Sequence, residues 1–265
     1  MTRELQFSVR YLAMHSTGPD DNVEGNIWPI EESMAIDPAQ TAMVLVDTWN
    51  KHPVKSHLES TGEIMRTLIA PLLESVRSAG IPLIYAPSPD VAIRYQQWHR
   101  RFGDRVPTSK APVPNWPPPA LRARQDPYAR FVRRPGETPP DYSGPYPDWW
   151  RWDGIADVIA PHEHDDVVAN GDELHEVLTE RGAAFLLYVG FATNICVMHR
   201  DYGVLAMGAR GYVPILLRDC TIGIESADTL PEMLATRAAI HDVERRYYST
   251  TSTDVARACG VVSGV

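Results

Sequence analysis

The stretch AFLLYVGFATNICVMHRDYGVLAMGARGYVPILL, residues 184–217, decides the fold. Ala184–Val189 is an apolar run of strand length that stops at Gly190. After a short turn, the spacing predicts a helix from about Ile195 to Ala209, with Gly211 behind it. Tyr212–Leu217 is a second apolar strand. The same alternation runs through the flanking sequence. Ala42–Val46 is an apolar strand ending at Asp47, and Ile81–Ala86 is another. Between them Glu63–Ser78 places Ile64, Leu68, Leu72 and Val76 at helical spacing, with Gly80 as the stop. Asp166–Ala169 is a short strand, Asp172–Arg181 a helix closed by Gly182, and Thr229–Val243 a further helix. Short apolar strands alternating with helices make βαβ units, hence an α/β fold with a central parallel sheet covered on both faces, in three layers.

Two segments fall outside that pattern. Proline is 23 of 265 residues, and twelve prolines lie between Pro107 and Pro147 together with Trp116; Trp149, Trp150 and Trp152 follow directly. Proline removes backbone donors, so this run is neither a long helix nor a central strand. Its aromatic rings are costly to leave wet, so residues 87–160 are expected to be an ordered insertion that wraps the body, with the indoles at 149–152 as a candidate lid. Residues 1–38 are expected to be a second wrapping arm, in which LQFSVRYLAM forms an edge strand. The expectation is one domain over 1–265.

Composition excludes several classes. Lys and Arg total 25 against 34 Asp and Glu, a formal charge of −9. Nucleic-acid binding is disfavoured, because phosphate contacts need a basic surface. No apolar run is long enough to span a membrane. The N-terminus, MTRELQFSVR, lacks the apolar core of a secretion signal. Cys196, Cys220 and Cys259 are odd in number and widely spaced, which is no disulfide framework and fits a cytoplasmic protein with reduced thiols. No glycine-rich phosphate loop occurs.

In open parallel sheets, sites gather at the carboxyl ends of strands. That rule points to Asp47, Asn170 and the Gly190–Cys196 turn. A thiol near the start of a helix feels the positive end of the macrodipole, which lowers its pKa, and free backbone N–H groups there can hold an oxyanion. Cys196 is therefore a candidate nucleophile, with a buried structural cysteine as the competing reading. A carboxylate ending an apolar strand is expensive without a task. If the strands near 42 and 184 are neighbours, Asp47 faces Cys196 and can move its proton.

Three stretches, AMVLVDTWN (42–50), DDVVANGDELHEVL (165–178) and YVGFATNICVMHRDYGVLAMGARGY (188–212), the last continuing into ILLRDC (215–220), resemble the isochorismatase-like cysteine hydrolases. That family includes nicotinamidases, N-carbamoylsarcosine amidases and ureidoacrylate amidases. The resemblance implies an Asp, Lys, Cys triad, with Asp47 and Cys196 at the first and last places. It implies a cis peptide at Phe191–Ala192 and an oxyanion hole from the amides of Ala192 and Cys196. The reaction implied is hydrolysis of a C–N bond in a small amide or ureide, with no cofactor. A homo-oligomer is implied as well.

The sequence departs from the family at the Lys, where VVANG puts Asn170. Three readings stay open. Asn170 replaces the Lys in a modified triad, orienting the thiol or the substrate; Lys51 reaches in instead; or the site binds a ligand without turnover. Trp49, Asn50, Phe191, Asn194 and His199 are the expected substrate-binding residues. Arg200 is a candidate for holding a substrate carboxylate or for a surface ion pair. His52 and His57 could line the entrance. His162 and His164 have the spacing of a metal pair but read better as solvated loop residues, so no metal is expected.

Overall fold

The computed structural model describes residues 4–107, 116–131 and 154–260. The chain divides into two compact units, residues 108–151 and the remainder. The first of these lies within the expected insertion. Its described part holds a short helix and a 3-10 turn at Ala129–Phe131. Trp149, Trp150 and Trp152, the candidate lid, lie outside the described residues.

The larger unit is built on eight strands: β1 (Leu5–Met14), β2 (Ile27–Ile36), β3 (Thr41–Val46), β4 (Leu83–Ala86), β5 (Asp166–Val167), β6 (Phe185–Gly190), β7 (Val213–Leu217) and β8 (Tyr248–Thr250). Their order is β2-β1-β8-β7-β6-β3-β4-β5. The helices are α1 (Lys55–Ile64), α2 (Ala70–Ser78), α3 (Pro89–Ala92), α4 (Gln96–Phe102), α5 (Pro119–Arg122, in the smaller unit), α6 (Gly171–Arg181), α7 (Val204–Ala209), α8 (Leu234–Glu244) and α9 (Ser252–Ala258). All six residues of β3 and all four of β4 are buried, so both faces of the sheet centre are covered. The chain is thus α/β with a mostly parallel sheet.

Four details differ from the expectations. The sheet is mixed: β1 and β2 form a ten-residue antiparallel hairpin ladder, and β1 also touches β8 at Arg10–Ser249, so β2 rather than β1 is the edge. Glu31, Glu32 and the proline at 29 break the apolar alternation of β2, which hid it in the sequence. The helix expected from Glu63 begins at Lys55 and carries a π turn at Met65–Ile69 between α1 and α2. The helix expected over 195–209 is interrupted: a π turn covers Thr193–Val197, and α7 starts only at Val204. Between them the Tyr202 carbonyl accepts from the buried Tyr188 hydroxyl (2.9 Å), and the Tyr202 hydroxyl donates to Pro87 O (3.2 Å). Those bonds fix residues 200–203 as a turn rather than a helix.

Two glycines mark where backbones meet. Gly190 has φ of +121°, and a Cβ there would collide with the Val46 carbonyl. Only glycine lets β6 end this close to β3. A Cβ at Gly171 would collide with the Asp201 carbonyl, so the start of α6 abuts the turn at 200–203.

Candidate active site

Strands β3 and β6 pair in parallel, with Val46 opposite Gly190, and β4 lies on the other side of β3. The residues that follow these three strands therefore meet at one edge of the sheet. Asp47 follows β3 in the left-handed region, at φ of +44°, where an Asp is tolerated better than most side chains. Its amide donates to Ala86 O (3.2 Å), and its carbonyl accepts from Trp49 N (3.1 Å). The side chain is fully buried. Its Oδ1 accepts from Ser88 Oγ (3.3 Å), and Oδ2 lies 3.4 Å from Arg200 Nη2. Arg200 Nη2 also donates to Ser88 Oγ at 2.8 Å. Asp47, Ser88 and Arg200 thus form a closed polar triangle.

Cys196 completes the group. It is the fourth residue of the π turn, half-buried, and its thiol feels the charges of Asp47 and Arg200. Burial pushes the thiol up, the Asp47 charge pushes it further, and Arg200 pulls it partly back. The net direction is upward, opposite to the expectation from the macrodipole. The turn is too short to act as a long dipole, and desolvation of the charged form outweighs it. At rest Cys196 is a protonated thiol. For Arg200, burial disfavours the charge, but Asp47, Tyr202 and Cys196 outweigh it and push the guanidinium higher still. Arg200 is a fixed cation, with its side chain 37% exposed beside the wholly buried Asp47.

The other expected site residues fall out as follows. Phe191 is buried, and the Phe191–Ala192 peptide is cis. Ala192 opens the π turn, and its carbonyl accepts from Ile195 N and Val197 N. Trp49 packs its ring against His52 (4.8 Å between centroids) and Phe191 (6.3 Å). His57 joins this aromatic wall, 4.9 Å from His52. Burial lowers His52 to about 4; burial and then His52 lower His57 to about 3. Both rings are neutral at neutral pH.

Asn170 is held at the start of α6. Its Oδ1 accepts from Glu173 N (2.9 Å), and its Nδ2 donates to Glu173 Oε1 (3.2 Å). It is the N-cap of α6, and its side chain is engaged with that helix rather than with the thiol. Asn50 Oδ1 accepts from Gly154 N (2.9 Å), and Asn194 binds both the N–H and the carbonyl of Ile224 at 3.0 Å. Both asparagines clamp loops. His199 is exposed, on the outer side of the turn. His162 and His164 are also exposed, and among the described residues no group of three or more His, Cys, Asp or Glu could hold a metal. Ser88 went unremarked in the sequence. It stands two residues beyond the end of β4, so the strand-end rule that picked out Asp47 could have nominated it too.

Residues 155–245 match the Isochorismatase domain family, a span that includes Ala192, Cys196 and Arg200 but neither Asp47 nor Ser88. A cysteine hydrolase from Pseudomonas syringae pv. phaseolicola 1448A superposes with a TM-score of 0.52 at 18% identity, covering 84% of this chain and 94% of its own. An isochorismatase family protein from Burkholderia thailandensis reaches 0.47 at 19% identity, over 85% and 98%. N-carbamoylsarcosine amidase from Thermoplasma acidophilum reaches 0.43 at 17%, over 85% and 99%. No curated protein matches this chain as a relative. No helix among the described residues is long and apolar enough to cross a membrane. Residues 155–245 thus match the Isochorismatase domain, and the fold of the chain is similar to that of the Pseudomonas syringae cysteine hydrolase.

Proposed function

We propose that the protein is a cysteine hydrolase that cleaves a C–N bond of a small amide or ureide through an acyl-enzyme. The observation that carries this is the wholly buried Asp47 after β3, whose charge acts on the Cys196 thiol in the turn after the neighbouring strand β6. A thiol held protonated at rest needs a base within reach at the moment of attack. As the sulfur adds to the substrate carbonyl carbon, its proton passes to Asp47. The N–H groups of Ala192 and Cys196 donate to the oxyanion. The C–N bond then breaks, and the proton on Asp47 goes to the departing nitrogen. Water adds to the thioester, Asp47 takes its proton, the C–S bond breaks, and the proton returns to sulfur. The balance is amide plus water giving acid plus amine. No cofactor enters it. Trp49 and Phe191 form an apolar wall for the substrate. A cytoplasmic homo-oligomer belongs to the same reading.

A second reading, a ligand-binding member without turnover, draws on the upward shift of the thiol and on the absence of a cation from position 170. One experiment separates them. Ammonia or amine release is followed across a panel of amides and ureides with wild type and Cys196→Ala. Turnover that the variant loses supports the hydrolase. Equal release by both proteins ends the hydrolase reading for those substrates.

A further inference from the structure

We infer that Arg200 is the catalytic cation of this site, standing beside the Cys196 sulfur and the Asp47 carboxylate in the role that position 170 does not fill. The inference rests on the hydrolase reading, and it assigns a residue that reading leaves without a task.

Geometry supports it first. Arg200 lies four residues after Cys196, and its amide donates to the Cys196 carbonyl at 3.1 Å, so backbone bonding ties the two residues together. Its guanidinium lies 3.4 Å from Asp47 Oδ2, and its charge reaches the Cys196 thiol. Ser88, delivered by the end of β4, accepts from Nη2 at 2.8 Å and holds the group in place. The Tyr202 ring lies beneath it, 6.0 Å from the guanidinium carbon.

The local packing explains the substitution. Asn170 is committed to capping α6, and Gly171 lies against the Asp201 carbonyl. The corner next to position 170 is therefore filled by the very turn that carries Arg200. The i, i+4 spacing and the helical bond from Arg200 N to Cys196 O set Arg200 on the face that carries Cys196. A guanidinium is charged at any working pH and can donate to sulfur and carboxylate at once.

Its part in the chemistry makes and breaks no bond. While the thiol proton passes to Asp47 and negative charge grows on sulfur, the nearby positive charge holds that charge in a partly desolvated place. The charged and titratable groups facing it are Asp47 from β3 and Cys196 and Tyr202 from its own segment, with Asp201 beyond Tyr202.

The test reads the sulfur directly, without a substrate. Full-length protein is alkylated with iodoacetamide from about pH 6 to about pH 10, and the rate at Cys196 is followed by peptide mass spectrometry, with Cys220 and Cys259 as internal references. Each unit added to the thiol pKa lowers the thiolate fraction about tenfold below that pKa. Arg200→Gln is expected to slow Cys196 at least about tenfold on the rising limb and to move its profile to higher pH. Arg200→Lys, which keeps the charge, is expected to stay within about fivefold of wild type. A merely structural role would lower the melting temperature without moving the profile. A folded Arg200→Gln protein with the wild-type profile overturns the assignment and leaves the hydrolase reading standing. Should Arg200→Gln not fold, a tenfold loss in a folded Arg200→Lys overturns it equally. A wild-type Cys196 that never reacts while Cys259 does overturns both, through the hydrolase reading.

Discussion

Cys196 and Asp47 follow neighbouring parallel strands, β6 and β3, and the buried Asp47 carboxylate acts on the Cys196 thiol through its charge. After burial, the Asp47 charge is the strongest influence raising the thiol. Base and nucleophile are therefore coupled with opposite signs for two measurements. Asp47→Asn removes the charge, so the thiol falls toward its ordinary range and Cys196 is alkylated faster at neutral pH, on the order of tenfold per unit. The same change removes the proton acceptor, and turnover falls on the order of a hundredfold or more. Alkylation rate and amine release on one preparation check both directions.

Asn170 gives the opposite pattern. As the N-cap of α6 it contributes stability, about 1 kcal/mol on the scale of such caps. Asn170→Ala is expected to lower the unfolding midpoint by that amount and to change the Cys196 alkylation rate less than about twofold. A large loss of thiol reactivity with unchanged stability would restore Asn170 to the triad.

The buried imidazoles set a pH limit on the fold. His52 and His57 are lowered by burial to about 4 and about 3, from an ordinary 6.5. The unfolded chain takes up protons on both as pH falls through about 6.5, and the folded chain does not. Stability is therefore complete above about pH 6.5 and is lost as pH drops toward 4, by an amount on the order of a few kcal/mol. Urea midpoints measured between pH 7 and about pH 4 should fall in wild type and fall less in His57→Gln.

How much of this could be read from the chain depends on what each residue does. The run 184–217 was legible because apolar stretches of strand length end in glycine, and Gly190 sits where β6 meets the Val46 carbonyl. The pairing of Asp47 with Cys196 hung on strand order, which apolar periodicity does not give; the observed β6-β3-β4 order supplies it. Ser88 and its bond to Arg200 stayed hidden, because a bond across 112 residues of sequence leaves no spacing signal. The direction of the thiol shift was misread, since the helix start is visible in sequence and the desolvation around it is not. Asn170 stands where the resemblance puts the triad Lys, while the Glu173 three residues on spells a helix cap.

The join between β6 and β3 yields a stability prediction. Gly190→Ala puts a Cβ into the Val46 carbonyl at a positive φ, and neither backbone can yield without moving Asp47 or Phe191. The expected cost is on the order of 3–5 kcal/mol, read as a fall in the urea midpoint, with turnover lost in any fraction that folds.

The central claim is that Cys196 takes the acyl group. Reaction mixtures with a turned-over amide, quenched in acid within the first turnovers and digested, place the claim on one peptide. The account predicts an added acyl mass on the peptide containing Cys196, absent from unreacted protein and from Cys196→Ala. Amine release with no adduct on that peptide, undiminished in Cys196→Ala, would contradict it.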